Sequence, residues 1–177
     1  MSLITVRPEG LYCEAGGFYI DPWRPVETAL ITHAHADHAR SGSEHYVAMA
    51  SAAGVLRKRL GEAIALQGVQ YGEKLKYGDT WVSFHPAGHV LGSAQIRVEH
   101  QDEVWVVSGD YKRCADPTCE PFEVVPCDAF ITEATFGLPI YKWDTGEETA
   151  RRIYDWWQTD RDRPSILFCY AFGKAQR

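Results

Sequence analysis

The segment THAHADHA, residues 32–39, constrains this chain more than any other part of its sequence. After the apolar residues ALI and one threonine, six consecutive positions contain four ligand-type side chains, His33, His35, Asp37 and His38. In an extended segment alternate side chains point to the same side, so His33 and His35 are expected to converge on one divalent metal ion. Asp37 and His38 follow where the strand ends, which favours a second ion beside the first. Histidines of a solvated loop are the weaker alternative.

Two further residues follow predicted strands in the same way. His89 comes after a strand and a Pro-Ala-Gly turn, and Asp110 follows an apolar strand and a glycine. Either residue alone would more often be an ordinary loop side chain than a ligand. Together with the histidine cluster, they predict one shared centre in which the two carboxylate oxygens of Asp110 bridge both ions.

Short strands separated by turn residues are predicted along most of the chain. The candidates are GFYIDP, which its proline ends, ALI, EHYVAMA, the glycine-punctuated stretch 63–89, a hairpin of 94–98 with 104–107, and AFIT. Between them, Ser51 is placed to cap a helix whose apolar positions are Val55, Leu56 and Leu60. The basic residues 57–59 of that helix are expected to face solvent rather than to bind nucleic acid.

The C-terminal part predicts a helix and one more strand. Thr145 and Glu148 have the spacing of a capping box, and the helix that follows would share one face among Ala150, Ile153, Tyr154 and Trp157. That face is expected to lie in the core, with base stacking as the weaker alternative. After Pro164, SILFCYA is predicted to form a buried strand and FGKAQR to begin another helix.

Composition limits the classes of function that the metal centre can serve. The chain has 177 residues, a net charge of −6 and 45% hydrophobic residues, which is typical of one soluble globular domain. The acidic balance excludes a protein that coats nucleic acid through a broad basic surface, but it suits an enzyme whose metal ions supply local positive charge. No secretory signal is visible, and no apolar run approaches the ~20 residues of a membrane span. The five scattered cysteines contain no C-x-x-C pair, so a cytoplasmic protein with reduced thiols and no membrane partner is expected.

The metal motifs resemble those of the metallo-β-lactamase superfamily. The segments HAHADH, PAGHVLGSAQ and SGDYKR resemble the first metal motifs of that superfamily. TEATFG, at 132–137, resembles the acidic motif of the β-CASP nuclease branch, and YAFGKAQR resembles the stretch that opens its β-CASP region. Over essentially the whole chain, the sequence is similar to the bacterial DNA-ligase-associated exonucleases, also described as mRNA 3′-end processing factor-like proteins.

This resemblance implies a fold and a division of the chain. The expected fold is of the α/β (α+β) class, an αββα sandwich in which two β-sheets stack face to face with helices outside. Residues 1–140 would form the N-terminal part of the metallo-β-lactamase-like domain, and residues 141–177 would begin a β-CASP-like segment. The family pattern contains further histidines on the C-terminal side, which this chain does not reach before Arg177. A chain truncated at the start of the β-CASP-like region is therefore expected.

The resemblance also implies a role for each candidate ligand. The first ion would be held by His33, His35 and His89. The second would be held by Asp37 and His38, and the two ions would share Asp110.

Further roles are implied for residues around the ions. Asp37 would be catalytic, because it could steer the nucleophile or accept its proton. Glu133 would be the second catalytic residue, orienting a histidine or handling a proton, although a salt bridge would explain it almost as well. Weak candidates for phosphate contacts, with surface solubility as the alternative, are Lys112, Arg113 and Lys174.

The expected function is a metal-dependent hydrolase of DNA phosphodiester bonds, an exonuclease in DNA repair that acts through a metal-bridged hydroxide. Two divalent ions are expected, with zinc favoured over manganese. DNA is the expected partner and RNA the alternative, and family likeness implies association with a DNA ligase and a helicase. Three other hypotheses stay open: an RNA-processing nuclease on the same fold, a small-ester or thioester metallo-hydrolase, and an inactive fragment. TEATFG and FGKAQR favour a nuclease over the small-molecule hydrolases, whose usual sequences lack them.

Overall fold

The computed structural model describes residues 2–177, and the chain divides into two compact units. The first unit is Met1–Glu133 and the second is Ala134–Arg177. The predicted domain boundary after residue 140 stays a prediction, since a compact unit and a domain need not end at the same residue.

A six-stranded sheet is formed by the N-terminal part of the first unit. In spatial order its strands are β1 (Ile4–Arg7), β2 (Gly10–Cys13), β3 (Phe18–Ile20), β4 (Thr28–Leu30), β5 (His45–Met49) and β6 (Leu66–Val69). The first three strands pair antiparallel, and β3 to β6 pair parallel. Parallel pairing places the C-terminal ends of β3, β4 and β5 at one edge of the sheet.

A five-stranded sheet completes the first unit. Its strands are β7 (Leu75–Tyr77), β8 (Thr80–Pro86), β9 (Ala94–His100), β10 (Glu103–Val107) and β11 (Ala129–Ile131). Neighbours from β7 to β10 pair antiparallel, whereas β10 and β11 pair parallel. Strands β8, β10 and β11 therefore run in the same direction and end at the same edge.

The core of the first unit lies between the two sheets. Along β8, Val82 and Phe84 are buried on one face, whereas Trp81 on the other face is exposed. The ring of Phe18 in the first sheet meets that of Tyr77 in the second edge to face, with centroids 5.5 Å apart. Burying each such apolar side chain contributes about 1.5–3 kcal/mol, so this layer holds the sheets together.

Helix α1 (Ala53–Leu60) follows a 3-10 turn at Ala50–Ala52. The predicted helix is confirmed, and its Leu56 is completely buried. The predicted start was wrong, because Ser51 lies inside the 3-10 turn and α1 begins without a side-chain cap. The basic residues 57–59 lie in the last turn, where positive charge interacts favourably with the helix dipole.

The second unit contains helix α2 (Gly146–Gln158) and a 3-10 turn at Lys174–Gln176. The predicted capping box is confirmed: the Glu148 amide donates to Thr145 Oγ1 at 3.2 Å, and the Thr145 amide donates to Glu148 Oε2 at 2.8 Å. The predicted burial was wrong, because α2 buries no residue. The predicted strand 165–171 was also wrong, since these residues pair with no strand among residues 2–177. With one helix and no strand, this unit offers too little structure to cover its apolar side chains.

The fold class is confirmed as mixed α/β, with two β-sheets and few helices. The elements expected from strand-and-turn patterns, including the hairpin of β9 and β10, form in the first unit. None of the helices in residues 2–177 has the length and apolar character that crossing a membrane requires.

Candidate metal centre

Strand ends from both sheets meet at the histidine cluster. The segment 32–38 follows β4, His89 follows β8 and Asp110 follows β10. The sheets are joined here by a hydrogen bond from the Ala94 amide to the Thr32 carbonyl, at 2.8 Å. Because strands that run in one direction end at one edge, side chains far apart in sequence become neighbours at this point.

Gly109 lets the chain bring Asp110 to this edge. Its φ of +54° lies in the left-handed region that favours glycine. A Cβ atom at this position would lie 2.4 Å from the hydroxyl oxygen of Thr32. Any side chain at residue 109 would therefore push Thr32 away from the histidines.

Four ligand atoms form the centre, each within 4.8 Å of the others; they belong to His33, His35, His89 and Asp110. Nδ1 of His35 lies 3.0 Å from Nε2 of His33 and 3.3 Å from Nε2 of His89. Oδ2 of Asp110 lies 3.7 Å from His33 Nε2 and 3.5 Å from His89 Nε2. His33 is buried and the other three residues are half-buried, so the group is accessible from solvent.

These distances fit the edges of one tetrahedral metal shell. With zinc–nitrogen bonds of about 2.0–2.1 Å, neighbouring ligands of a tetrahedron lie about 3.3 Å apart. The four measured separations, from 3.0 to 3.7 Å, bracket that value. Imidazole nitrogens and a carboxylate oxygen are also ligands that zinc takes in proteins. The residues present therefore fit a divalent ion of the zinc type.

Thr32 sets the tautomer of His33. The threonine hydroxyl donates to Oδ2 of Asp21 at 2.5 Å, so it can only accept from Nδ1–H of His33, at 3.1 Å. Nε2 of His33 then presents its lone pair to the other ligand atoms. Burial, helped by repulsion from His38, holds the pKa of His33 well below its usual value. His33 is therefore neutral at pH 7, which is the form that binds a metal.

A second group of ligand atoms lies on the other side of Asp110. Its Oδ1 lies 3.2 Å from Nε2 of His38, and that nitrogen lies 3.8 Å from Oδ2 of Asp37. The two oxygens of Asp110 thus face different histidines, which is the arrangement that a bridging carboxylate needs. The metal-binding roles of these residues remain predictions.

Protonation differs between the two groups. Burial lowers the pKa of His38, but hydrogen bonds with Asp110 and Asp21 outweigh it and raise that pKa to about 10. In return, the hydrogen bond from His38 lowers the pKa of Asp110 to about 2. His38 is therefore protonated at neutral pH in the metal-free protein, and a metal at its Nε2 has to displace that proton.

Asp21 is a supporting residue that the sequence pattern did not reveal. Its Oδ2 accepts from Nδ1–H of His38 at 2.7 Å, and its Oδ1 accepts from the amide of Thr32 at 2.8 Å. Asp21 thereby orients His38 directly and His33 through Thr32, as carboxylates behind metal-binding histidines do. The strand-end rule that found His89 and Asp110 could have found it, because Asp21 directly follows β3.

The other predicted residues have partners or positions of their own. Glu133 is half-buried and follows β11, which ends at the same edge as β10. Lys112 Nζ binds Oδ2 of the buried Asp116 at 3.0 Å. Lys174 Nζ lies 5.1 Å from the ring centroid of Tyr170, and Arg113 is exposed. The catalytic role of Glu133 and the phosphate contacts of the three basic residues stay predictions.

His85, four residues before His89 in the sequence, has partners outside the histidine cluster. Its Nε2 lies 3.0 Å from the hydroxyl of Ser83, and its Nδ1 lies 3.1 Å from a carboxylate oxygen of Glu123. Both ring nitrogens therefore have partners outside the histidine cluster.

No family model matches the chain, but several curated proteins are similar to it. A protein of Opitutus terrae described as a probable DNA ligase is 30% identical over 171 residues, which cover 94% of this chain and 17% of that protein. The endoribonuclease YSH1 of Eremothecium gossypii is 31% identical over 101 residues, or 56% of this chain and 13% of that protein. Subunit 3 of the cleavage and polyadenylation specificity factor of Dictyostelium discoideum is 26% identical over 113 residues, which cover 63% of this chain and 15% of that protein. This chain thus spans 13–17% of the length of these relatives.

Solved structures resemble the chain in outline. A metallo-β-lactamase motif mutant from Cronobacter sakazakii is 15% identical with a TM-score of 0.41, over 64% of this chain and 57% of that one. A B3 metallo-β-lactamase with an active-site glutamic acid is 18% identical with a TM-score of 0.40, over 51% of this chain and 44% of that one.

Proposed function

We propose that this chain, which belongs to the metallo-β-lactamase superfamily and to its β-CASP nuclease branch, is the metal-binding part of a nuclease. The observation that carries the proposal is the position of Asp110, with one oxygen facing His33 and His89 and the other facing His38. A carboxylate placed between two sets of ligands supports a two-metal hydrolase, which cuts phosphodiesters by in-line displacement.

The donor sets suggest which metals the two positions take. Three imidazoles and one carboxylate oxygen at the first position suit zinc. The second position, with His38 and oxygens of Asp37 and Asp110, suits manganese as well as zinc. When bound, divalent ions lower the pKa of a water molecule and neutralise the charge of a phosphodiester.

The chain's own residues have distinct roles in this proposal. The carboxylate of Asp37 is 72% exposed, so its Oδ2 can accept a proton from an attacking water molecule while lying next to His38. Thr32 holds His33 in the tautomer that leaves its Nε2 unprotonated for a metal. Asp21 accepts from Nδ1–H of His38, so that a metal at Nε2 of His38 has to displace one proton only.

DNA is the proposed substrate, and an exonuclease activity in repair the proposed role. The similarity that covers 94% of this chain is to a protein described as a probable DNA ligase, whereas the similarity to YSH1 covers 56% of this chain. The same relative motivates the proposal that the protein works with a DNA ligase. Association with a helicase and a cytoplasmic location stay predictions from the resemblance alone.

The decisive experiment is digestion of end-labelled single-stranded DNA and RNA by the full chain with added Zn²⁺ or Mn²⁺. Asp37→Ala should lower the rate by about 10²–10⁴-fold, the usual contribution of a proton-transfer group. The matched control is Asp102→Ala, which removes an exposed carboxylate in the turn between β9 and β10 and should leave the rate unchanged.

Each outcome assigns or rejects a part of the proposal. Metal-dependent shortening of DNA from one end supports the DNA exonuclease, and preference for RNA replaces DNA as the substrate. Hydrolysis of a small thioester without cleavage of either polymer would reject the nuclease in favour of a small-molecule hydrolase. Cleavage that survives in Asp37→Ala would come from a contaminant or from another site.

A further inference from the structure

An open cleft of ≈310 Å³ adjoins the metal-binding turn. One wall comes from the end of that turn and the other from the end of α1; the lining residues are Ala36, Ala39, Arg40, Ser41, Arg59 and Leu60. Its volume is in the range of small-ligand sites, and its lining combines two arginines with alanine, serine and leucine side chains. The composition of these walls favours an anion.

The two arginines of the cleft have no acidic partners. Among residues 2–177, no carboxylate lies within 4.0 Å of the guanidinium of Arg40 or of Arg59. Several other arginines of this acidic chain are paired, for example Arg97 with Glu99 at 2.6 Å. Two unpaired guanidinium groups in one cleft, within a protein of net charge −6, form a local positive site.

The backbone beneath this cleft is held in place. The buried Tyr46 donates its hydroxyl to the Arg40 carbonyl at 2.9 Å and accepts from the Ser43 amide, also at 2.9 Å. On the other side of the cleft, Leu56 anchors α1 in the core. Both arginines are thus carried by fixed backbone, which lowers the entropic cost of using them for binding.

The cleft and the metal ligands belong to one tight turn. The amides of His38 and Ala39 both donate to the His35 carbonyl, at 3.2 and 2.8 Å. Because consecutive Cα atoms are about 3.8 Å apart, the Cα atoms of Asp37 and Arg40 are separated by at most about 11 Å. A strand whose reacting phosphate lies at the metal ligands would have neighbouring phosphates within reach of the cleft.

We propose that Arg40 and Arg59 form a phosphate-binding subsite that positions a nucleic-acid strand next to the metal centre. This inference rests on the proposed nuclease function. It changes the expectation for Arg59 alone among the basic residues 57–59, since Arg57 and Lys58 do not line the cleft. Guanidinium groups suit this role because they bind phosphate through two parallel hydrogen bonds.

Binding is tested with a single-stranded phosphorothioate oligonucleotide, which resists cleavage, in the presence of Zn²⁺. Fluorescence anisotropy should show about tenfold weaker binding for Arg40→Gln and for Arg59→Gln, the usual loss for a hydrogen bond to a charged group. Each variant should also reduce the slope of log K against log salt by about 0.7, the value for one phosphate contact on a single strand. Lys58→Gln is the matched control, because it removes the same charge from the same helical turn outside the cleft.

Catalysis separates the subsite from the metal centre. Both variants should raise KM for oligonucleotides while leaving hydrolysis of bis(p-nitrophenyl) phosphate, which is too small to span the two sites, unchanged. Equal weakening in Lys58→Gln, or unchanged binding in both arginine variants, would overturn the proposal. If the wild-type chain cleaves neither substrate, the nuclease proposal fails, and the anisotropy comparison still decides the subsite.

Two further oligonucleotides, one with a 5′-phosphate and one with a 5′-hydroxyl, show whether the subsite binds a terminal or an internal phosphate. If the 5′-phosphorylated probe loses more affinity than the 5′-hydroxyl probe on substitution, the subsite binds a terminal phosphate. Equal losses assign it to an internal phosphodiester. Both results support the subsite and differ in the position at which the strand is held.

Discussion

The two units of this chain have similarly apolar patterns but bury them to very different degrees. In the first unit, Phe84 and Ile96 are 0% exposed between two sheets. In the second, Phe168 is 102% exposed and Trp143 73% exposed, and α2 buries no residue. An apolar periodicity therefore identifies the face of an element that is suited to burial. Burial itself requires a second element that packs against that face.

The same difference explains where the polar centre can form. All six predicted metal ligands lie in the first unit: His33, His35, Asp37, His38, His89 and Asp110. Their strand ends are fixed by a packed core, so side chains distant in sequence keep separations of 3.2–3.7 Å. A site built on rigid strands keeps its geometry better than one on an uncovered helix.

The largest expected effect is on the core itself. Phe84→Ala should lower the free energy of unfolding by about 3–5 kcal/mol, because a completely buried ring leaves a cavity. Phe168→Ala should change it by less than about 0.5 kcal/mol, because its ring is exposed. Urea denaturation of both variants, followed by circular dichroism, measures the difference. A decrease of several kcal/mol in the free energy of unfolding of Phe168→Ala would show that residues of the second unit contribute to a core. The contrast in burial between the two units would then be wrong.

The next effect concerns the support of the metal centre. Asp21→Asn keeps the shape of the side chain but removes the charge that accepts from His38 and Thr32. Metal binding should weaken by about 10–100-fold, or about 1.4–2.7 kcal/mol, as for other carboxylates behind metal-binding histidines. Isothermal titration with Zn²⁺ measures this loss, and hydrogen exchange of α2 should stay unchanged.

A second measurement on Asp21→Asn tests orientation against simple loss of folding. In the metal-free protein, NMR titration should show a lower pKa for His38 in the variant, because one of its two carboxylate partners is lost. Asp79→Asn, a change at an exposed loop carboxylate, is the control. An unchanged pKa together with weaker metal binding would mean that Asp21 acts through the general fold.

The sequence predicted local elements and the strand-end cluster, and missed what depends on pairing in space. The hairpin of β9 and β10 and the capping box at Thr145 follow from neighbouring residues, so local patterns suffice. The convergence of His89 and Asp110 with the histidines follows from their position after strands. Asp21 follows β3 as His89 and Asp110 follow their strands, but its hydrogen bond with Thr32 depends on the parallel pairing of β3 with β4, which no local pattern encodes. The exposure of α2 was missed because periodicity does not state whether a partner is present.

A smaller effect is expected in the pH dependence of the free energy of unfolding of the first unit. Burial raises the pKa of Tyr71 to about 12, and its hydroxyl donates to the Ser93 carbonyl at 3.0 Å. A raised pKa in the folded state means that the neutral form stabilises folding. This contribution is complete below the unfolded pKa of about 10 and is lost as the pH rises through about 12. Between pH 9 and 11.5 the wild type should lose roughly 1 kcal/mol more than Tyr71→Phe, a value discounted for partial exposure.

Urea midpoints at the two pH values measure this loss. Tyr154→Phe, which changes an exposed tyrosine of the second unit, should leave the pH dependence unchanged. If Tyr71→Phe kept the full alkaline loss, another group of the first unit would be responsible for it.

The smallest effect is expected at the start of α2, where no core contributes. Thr145→Ala removes the hydroxyl that accepts from the Glu148 amide, and a lost N-cap costs about 0.5–1 kcal/mol in a helix of this kind. Because α2 has no buried residue, the loss should stay local, with about two- to fivefold faster hydrogen exchange in the first turn and an unchanged urea midpoint for the first unit. Glu148→Gln is the matched control, since glutamine also completes a capping box and should retain most of the protection. A shift of the first unit's midpoint in Thr145→Ala would mean that the two units unfold together, and that the exposed helix is stabilised by more than its own hydrogen bonds.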